Sequence, residues 1–242
     1  AVRPDQPPRL LTTIEAPGHR ISSAAVAAVG DRLLVAWSDD QVPMGRPAPD
    51  WTDDYDAPYC LWDRTTHAEL LDAATGARLA SADLPGMLAS AAVPGPRGSV
   101  LLGGSRREGC GEAKAVVVAL DGALKARTLY TDDSLGASDV RTLAPLPGGR
   151  TLVAASKENV VDYRPPDLAR ARQADPYALL PFPHTYSGLL VTLKPDGRAG
   201  APRLLDSGSN IYVTALAAGA DDVLLGGAVA GQAAIFRLTE GR

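Results

Sequence analysis

Residues 99–105 read SVLLGGS, and three other stretches repeat that outline without gaps: RLLVAWS at 32–38, RTLVAAS at 150–156 and DVLLGGA at 222–228. Each opens on large aliphatic residues, passes into two mostly small ones and closes on Ser or Ala. Each follows a turn rich in Gly or Asp: VGD, GPRG, PGG and GADD. Another apolar strand precedes each turn: SSAAVAAV (22–29), MLASAAV (87–93), VRTLAPL (140–146) and IYVTALAA (211–218). A third strand ending in a hairpin signal follows each: AELLDAATG (68–76), KAVVVALDG (114–122), GLLVTLKPDG (188–197) and AAIFRLTEG (233–241). The Thr-Gly, Asp-Gly and Glu-Gly pairs suit tight turns because Gly adopts positive φ without steric cost. In three cases a fourth strand comes next: ARLASADL (77–84), LKARTLY (124–130) and APRLLD (201–206).

The unit is therefore four short antiparallel strands, present four times, which predicts an all-β fold. A four-stranded unit repeated about an axis resembles the β-propeller superfamily in general. No particular propeller family is matched: Trp-Asp occurs once, at Trp62-Asp63, and double glycines stand at 103–104, 148–149 and 226–227 only. The resemblance implies one domain over 1–242, with blades near 22–84, 88–130, 137–206 and 210–242. The last unit stops after its third strand. RLLTTIEAP (9–17) is a spare apolar strand, expected to complete the last blade and hide its edge. A β-sandwich of repeated hairpins, or a share in a larger ring, are the alternative architectures.

Composition fits a folded, water-facing chain: 45% hydrophobic, 21% charged, formal charge −4. The acidic balance argues against a nucleic-acid partner, and the apolar runs are too short for membrane insertion as helices. A start at Ala1 with AVRPDQPP suits the mature end of an exported protein, and a trimmed end equally.

In propellers the loops between strands 2 and 3 share one face. Insertions at 39–66 and 164–185 both occupy that connection, so the loop length gathers on one face, where a binding surface is expected. The first insertion contains DWTDDYDAPYCLWD (50–63). Trp51, Tyr55, Tyr59 and Trp62 offer contact area with a polar handle, and Asp53, Asp54 and Asp56 add negative charge. The same rings can equally pack the loop onto its blade. Cys60 lies in this loop and Cys110 in the equivalent loop of the next blade, which makes them candidates for a disulfide. Asp50, Asp53, Asp54 and Asp56 cluster oxygen donors as Ca²⁺ requires, without the spacing of an EF-hand; no other cofactor is suggested. The second insertion has a predicted short helix near 167–174, capped by Asp167 and ended by Pro176. Beyond it, Tyr177, Leu180, Phe182 and His184 form an apolar ridge for a partner.

His19, His67 and His184 all fall near the long-loop face, but on different blades. Nothing resembles a G-x-S-x-G elbow, a P-loop, a Rossmann fingerprint or H-E-x-x-H. The expected function is an exported (periplasmic or secreted), non-enzymatic propeller binding another protein or envelope component, for instance as an accessory subunit. The alternatives are a hydrolase or lyase drawing on the Asp50–Asp56 carboxylates with His67 and His184, and a calcium-stabilised structural module.

Overall fold

A computed structural model of the chain describes residues 10–14, 20–40, 64–107, 112–159, 185–205, 210–219 and 222–239. Its strands form four antiparallel sheets, each built from consecutive strands, in a four-bladed propeller-like fold. Blade one holds β1 (Arg20–Val29), β2 (Arg32–Asp40), β3 (Arg64–Asp72) and β4 (Arg78–Pro85). Blade two holds β5 (Met87–Pro94), β6 (Val100–Arg106), β7 (Lys114–Leu120) and β8 (Ala126–Thr131). Blade three holds β9 (Ser138–Leu146), β10 (Arg150–Asn159), β11 (Thr185–Leu193) and β12 (Arg203–Leu205). Blade four holds β13 (Ile211–Ala218), β14 (Asp222–Val229) and β15 (Gln232–Thr239).

Three apolar clusters hold the blades face to face. Leu34, Ala36, Ala68 and Leu70 of blade one meet Met87, Leu102, Val116 and Val118 of blade two. The other face of blade two, with Leu101 and Val117, meets Val140, Val153, Leu189 and Val191 of blade three. Blade three then turns Leu152, Ala154 and Leu190 toward Ile211, Val213 and Leu225 of blade four. Blades two and three are thus covered on both faces. That is why β6, β7 and β10 read as nearly unbroken apolar runs rather than alternating ones. Strand β1 alternates instead: Ala25 and Ala27 are buried while Ala24, Val26 and Ala28 face out.

The first strand of every blade carries one β-bulge at the same place. Pairing skips Ser22 in β1, Ser90 in β5, Arg141 in β9 and Thr214 in β13. At two of these positions a hydroxyl donates to the carbonyl opposite, Ser22 to Ser38 (3.2 Å) and Thr214 to Gly226 (3.3 Å), while the Ser90 hydroxyl donates to the Val140 carbonyl of blade three. The bulges bring backbone close to backbone. A Cβ on Gly104 would lie 1.9 Å from the Leu88 carbonyl oxygen, and one on Gly227 1.9 Å from that of Tyr212. So the double glycines at 103–104 and 226–227 occupy one structural position, whereas 148–149 is a turn. Aligned on its bulge, the second strand of blade one sits two residues further on than the gapless sequence match (Asp39, not Trp37, stands at the Gly104 position). A two-residue offset leaves the inward and outward faces unchanged, so the repeat survives it.

One element differs from expectation. Residues 10–14 of the predicted closing strand carry no strand structure, and blade four shows three strands among the described residues. The Leu11 carbonyl instead lies where a Cβ on Gly76 would be, 2.6 Å away, at the turn between β3 and β4 of blade one. Residues 10–14 pair with no described strand, and Leu11 stands beside the β3–β4 turn of blade one.

Candidate functional site

The register places the two ends of the molecule unequally. Asp40 pairs with Arg64, Arg106 with Lys114 and Asn159 with Thr185, so three connections leave from the same end of the sheets. Two of these connections, 41–63 and 160–184, are long; the corresponding turn of blade four is Ala230-Gly231. At the opposite end, turns at 73–77, 96–98, 121–125 and 147–149 reverse the chain within a few residues. The long-loop end is therefore the candidate functional face.

Its framework is built from backbone and lysine. The Gly86 N–H donates to the Arg64 carbonyl at 2.7 Å, and the Arg107 N–H donates to the Gly86 carbonyl at 3.0 Å. The roots of the first insertion and of the blade-two loop are thereby tied to one glycine. Between blades two and three, residues 132–137 are gripped by two ammonium groups. Lys157 Nζ donates to Asp132 Oδ2 (3.0 Å), Ser134 Oγ (2.5 Å) and the Leu135 carbonyl (2.7 Å). Lys114 Nζ donates to Glu112 Oε2 (2.6 Å) and to the Ser134 and Gly136 carbonyls (2.8 and 2.9 Å). Burial works against the Asp132 charge, yet bonds from Ser134, Ser138 and Lys157 outweigh it and hold its carboxyl below the ordinary value. The hydrogen bond from Lys114 likewise lowers Glu112. These groups satisfy one another and hold the linker that carries the chain between blades.

Nearer the inner strands lies a second set of polar groups. Arg141 takes the bulge position that Ser and Thr hold in the other blades, and pairs with Asp139 at 3.1 Å. Burial pushes the Asp139 carboxyl up; Arg141, Ser105 and Arg64 pull the other way without cancelling it. The rings of Tyr186 and Tyr212 meet with centroids 4.7 Å apart across blades three and four. Burial raises the Tyr186 phenol, with Glu158 adding to the effect. The Tyr186 N–H donates to Asn210 Oδ1 at 2.8 Å, which fixes the start of β13. An arginine–carboxylate pair with two phenol rings tilted 39° to one another gives this rim charge and aromatic surface together.

Trp51, Asp53, Asp54, Tyr55, Asp56, Tyr59, Trp62, Tyr177, Leu180, Phe182 and His184 all lie outside the described residues, as do Asp50, Cys60, Cys110, His19 and the helix expected near 167–174. His67 is described. Its Nδ1 is 2.8 Å from Asp83, its Nε2 3.5 Å from Asp39, and its ring stacks on Trp37 at 4.2 Å. His67 thus belongs to the free side of blade one. Among the described residues no group of three or more His, Cys, Asp or Glu side chains is arranged to hold a metal ion. Sequence reasoning missed the lysine clamps and Asp139–Arg141. The aligned bulge column, Ser22, Ser90, Arg141 and Thr214, is the signal that singles out Arg141.

No family model and no curated protein sequence matches this chain. Solved structures do. A neuraminidase-like protein from A/bat/Guatemala/164/2009 is 14% identical, with a TM-score of 0.53 over 93% of this chain and 54% of its own. An acylaminoacyl peptidase bound to Z-Gly-Gly-Phe-chloromethyl ketone is 10% identical, with a TM-score of 0.50 over 93% of this chain and 32% of its own. The parainfluenza virus 5 hemagglutinin-neuraminidase ectodomain is 8% identical, with a TM-score of 0.49 over 96% of this chain and 57% of its own. The chain spans about half the length of the neuraminidase-like structures it matches. At these identities the likeness is one of fold: four antiparallel sheets arranged as propeller blades, with no specific family attached.

Proposed function

We propose that this chain binds another protein or an envelope component through its long-loop face, outside the cytoplasm and without catalysing a reaction. The observation that carries the reading is the asymmetry of the connections: both long insertions leave from one end, and connections at the other run to nine residues at most, at 194–202. A scaffold that keeps its blades rigid and spends its extra length on one face is suited to presenting a surface. Within the first insertion, four aromatic rings and five aspartates fall in residues 50–63; within the second, Tyr177, Leu180, Phe182 and His184 supply apolar contact. Large rings anchor an interface while the acidic groups select a basic partner. The roots of the two cysteine-bearing loops meet at Gly86, which favours a Cys60–Cys110 bridge in an oxidising compartment.

The test is site-specific photo-crosslinking in source cells. A benzophenone side chain replaces Tyr55 or Phe182 on the loop face, and Lys125 on the tight-turn face. One adduct of the same partner mass from both loop positions, and none from Lys125, is the expected result. Adducts from all three positions alike, or from neither loop, would refute the reading. Recovery of the chain solely from the cytosol would refute export.

A further inference from the structure

We propose that the cleft between blades two and three, at the end opposite the long loops, binds a small organic phosphate, its oxyanion held by Arg97, Lys125 and Arg127 and its apolar body laid on the cleft floor. This does not depend on the loop-face reading, which concerns a large partner at the other end. The cleft has a volume of about 420 Å³, within the range of small-molecule sites. It is framed by the β5–β6 turn, the β7–β8 turn with the first residues of β8, and the turn after β11. Its floor is the end of the apolar contact between the two blades, where Leu101, Ala119 and Leu129 come together.

The charges around this floor are unequal in their commitments. Two carboxylates line the cleft, and both are engaged in their own turns. Asp121 Oδ1 accepts the N–H groups of Ala123 and Lys125, each at 2.9 Å. Asp196 Oδ1 accepts the Arg198 N–H at 2.9 Å, and its Oδ2 lies 3.6 Å from the Arg198 guanidinium. The side chains of Arg97, Lys125 and Arg127 make no hydrogen bond or ion pair among the described residues. Like charges gathered at one mouth repel one another until an anion sits among them. Arg127 reaches across to blade three because residue 197 is glycine: a Cβ there would come within 3.0 Å of its Nη2. Arg97 is held at a backbone cost. The turn Pro96–Gly98 recurs in blade three as Pro147–Gly149, and the middle residue is left-handed in both, Gly148 at φ 74 and Arg97 at φ 57. Blade three fills that position with the residue that adopts it freely, whereas blade two keeps an arginine there, at the cleft. Strain retained beside unpaired cations points to a bound group. A phosphate monoester presents three oxygens and close to two charges for three cations to share; a carboxylate has one charge and is satisfied by a single guanidinium fork.

The experiment is isothermal titration calorimetry on the full chain with phenyl phosphate, inorganic phosphate and benzoate as probes. Phenyl phosphate is expected to bind at a single site with a dissociation constant of about 1 mM or tighter. The other two each lack one half of the recognition and should bind on the order of 10-fold more weakly. Arg97→Gly and Arg127→Gln should each weaken phenyl phosphate about 10-fold. Arg32→Gln removes a cation at the same end of blade one and should leave its binding unchanged. Because blade three carries Gly at the equivalent of Arg97, Arg97→Gly should keep the wild-type melting temperature and circular dichroism spectrum. No binding of phenyl phosphate at about 10 mM overturns the proposal. So does inorganic phosphate or benzoate binding as tightly as phenyl phosphate. Wild-type affinity in both cleft variants overturns it as well, and a loss in Arg32→Gln equal to theirs would reduce the effect to general charge attraction and overturn the site.

Discussion

Replacing Lys157 by Met would test how the linker between blades two and three is held. Met keeps an unbranched stem of similar length in a site where Lys157 is 8% exposed, and removes the three donors to Asp132, Ser134 and Leu135. Asp132, 4% exposed, is left charged without its cation. Removing one partner of a buried ion pair costs about 3–5 kcal/mol. Asp132 keeps the N–H and hydroxyl of Ser134, so the lower end applies, about 3 kcal/mol. For a chain of this size that lowers Tm by roughly 6–12 °C. The double variant Lys157→Met, Asp132→Asn leaves no orphaned charge and should recover most of the loss. Denaturant unfolding between pH 3 and pH 7 reads all of this. The Asp132 carboxyl is depressed in the folded state, so its contribution is present above the ordinary carboxylate value and lost as pH falls through the folded value. The gap between wild type and Lys157→Met should therefore be full at pH 7 and shrink below about pH 4. A loss under 1 kcal/mol at pH 7, or a double variant no more stable than the single, would refute the clamp.

Two further outcomes follow from the fold and the loops. Gly104→Ala drives a methyl group to within 1.9 Å of the Leu88 carbonyl and should cost about 3 kcal/mol or more. Gly122→Ala, with nothing within 4 Å of its added Cβ, is the control and should stay within about 1 kcal/mol in the same unfolding experiment. For the cysteines, intact mass after alkylation should show no addition until reductant is present; two alkylated thiols in the untreated protein would rule out a Cys60–Cys110 bridge.

The strand repeat was legible because it is a local property. Blades two and three bury both faces of their sheets, so the middles of β6, β7 and β10 are apolar at successive positions, with polar residues kept toward the strand ends. With the matching stretches at 32–38 and 222–228, the aliphatic runs at 99–105 and 150–156 make four repeats separated by turn residues, and these announce four sheets before any contact is known. The side on which the long loops emerge could be counted from strand order in the same way. The polar clusters were not legible. Lys157 and Asp132 lie 25 positions apart and meet only because adjacent blades pack. Arg141 looked like any basic residue in a strand until the bulges aligned it with Ser22, Ser90 and Thr214.

The sequence by itself determined the strand order and the number of blades, since hydrophobic pattern and turn chemistry act over neighbouring residues. Only the tertiary structure decided how the ends are disposed. Residues 10–14 have the pattern of a strand, but a strand exists only where a ladder is free to receive it, and Leu11 lies at Gly76 of blade one rather than on β15. Pairing between distant segments depends on where the blades stand in space, and no local pattern encodes that.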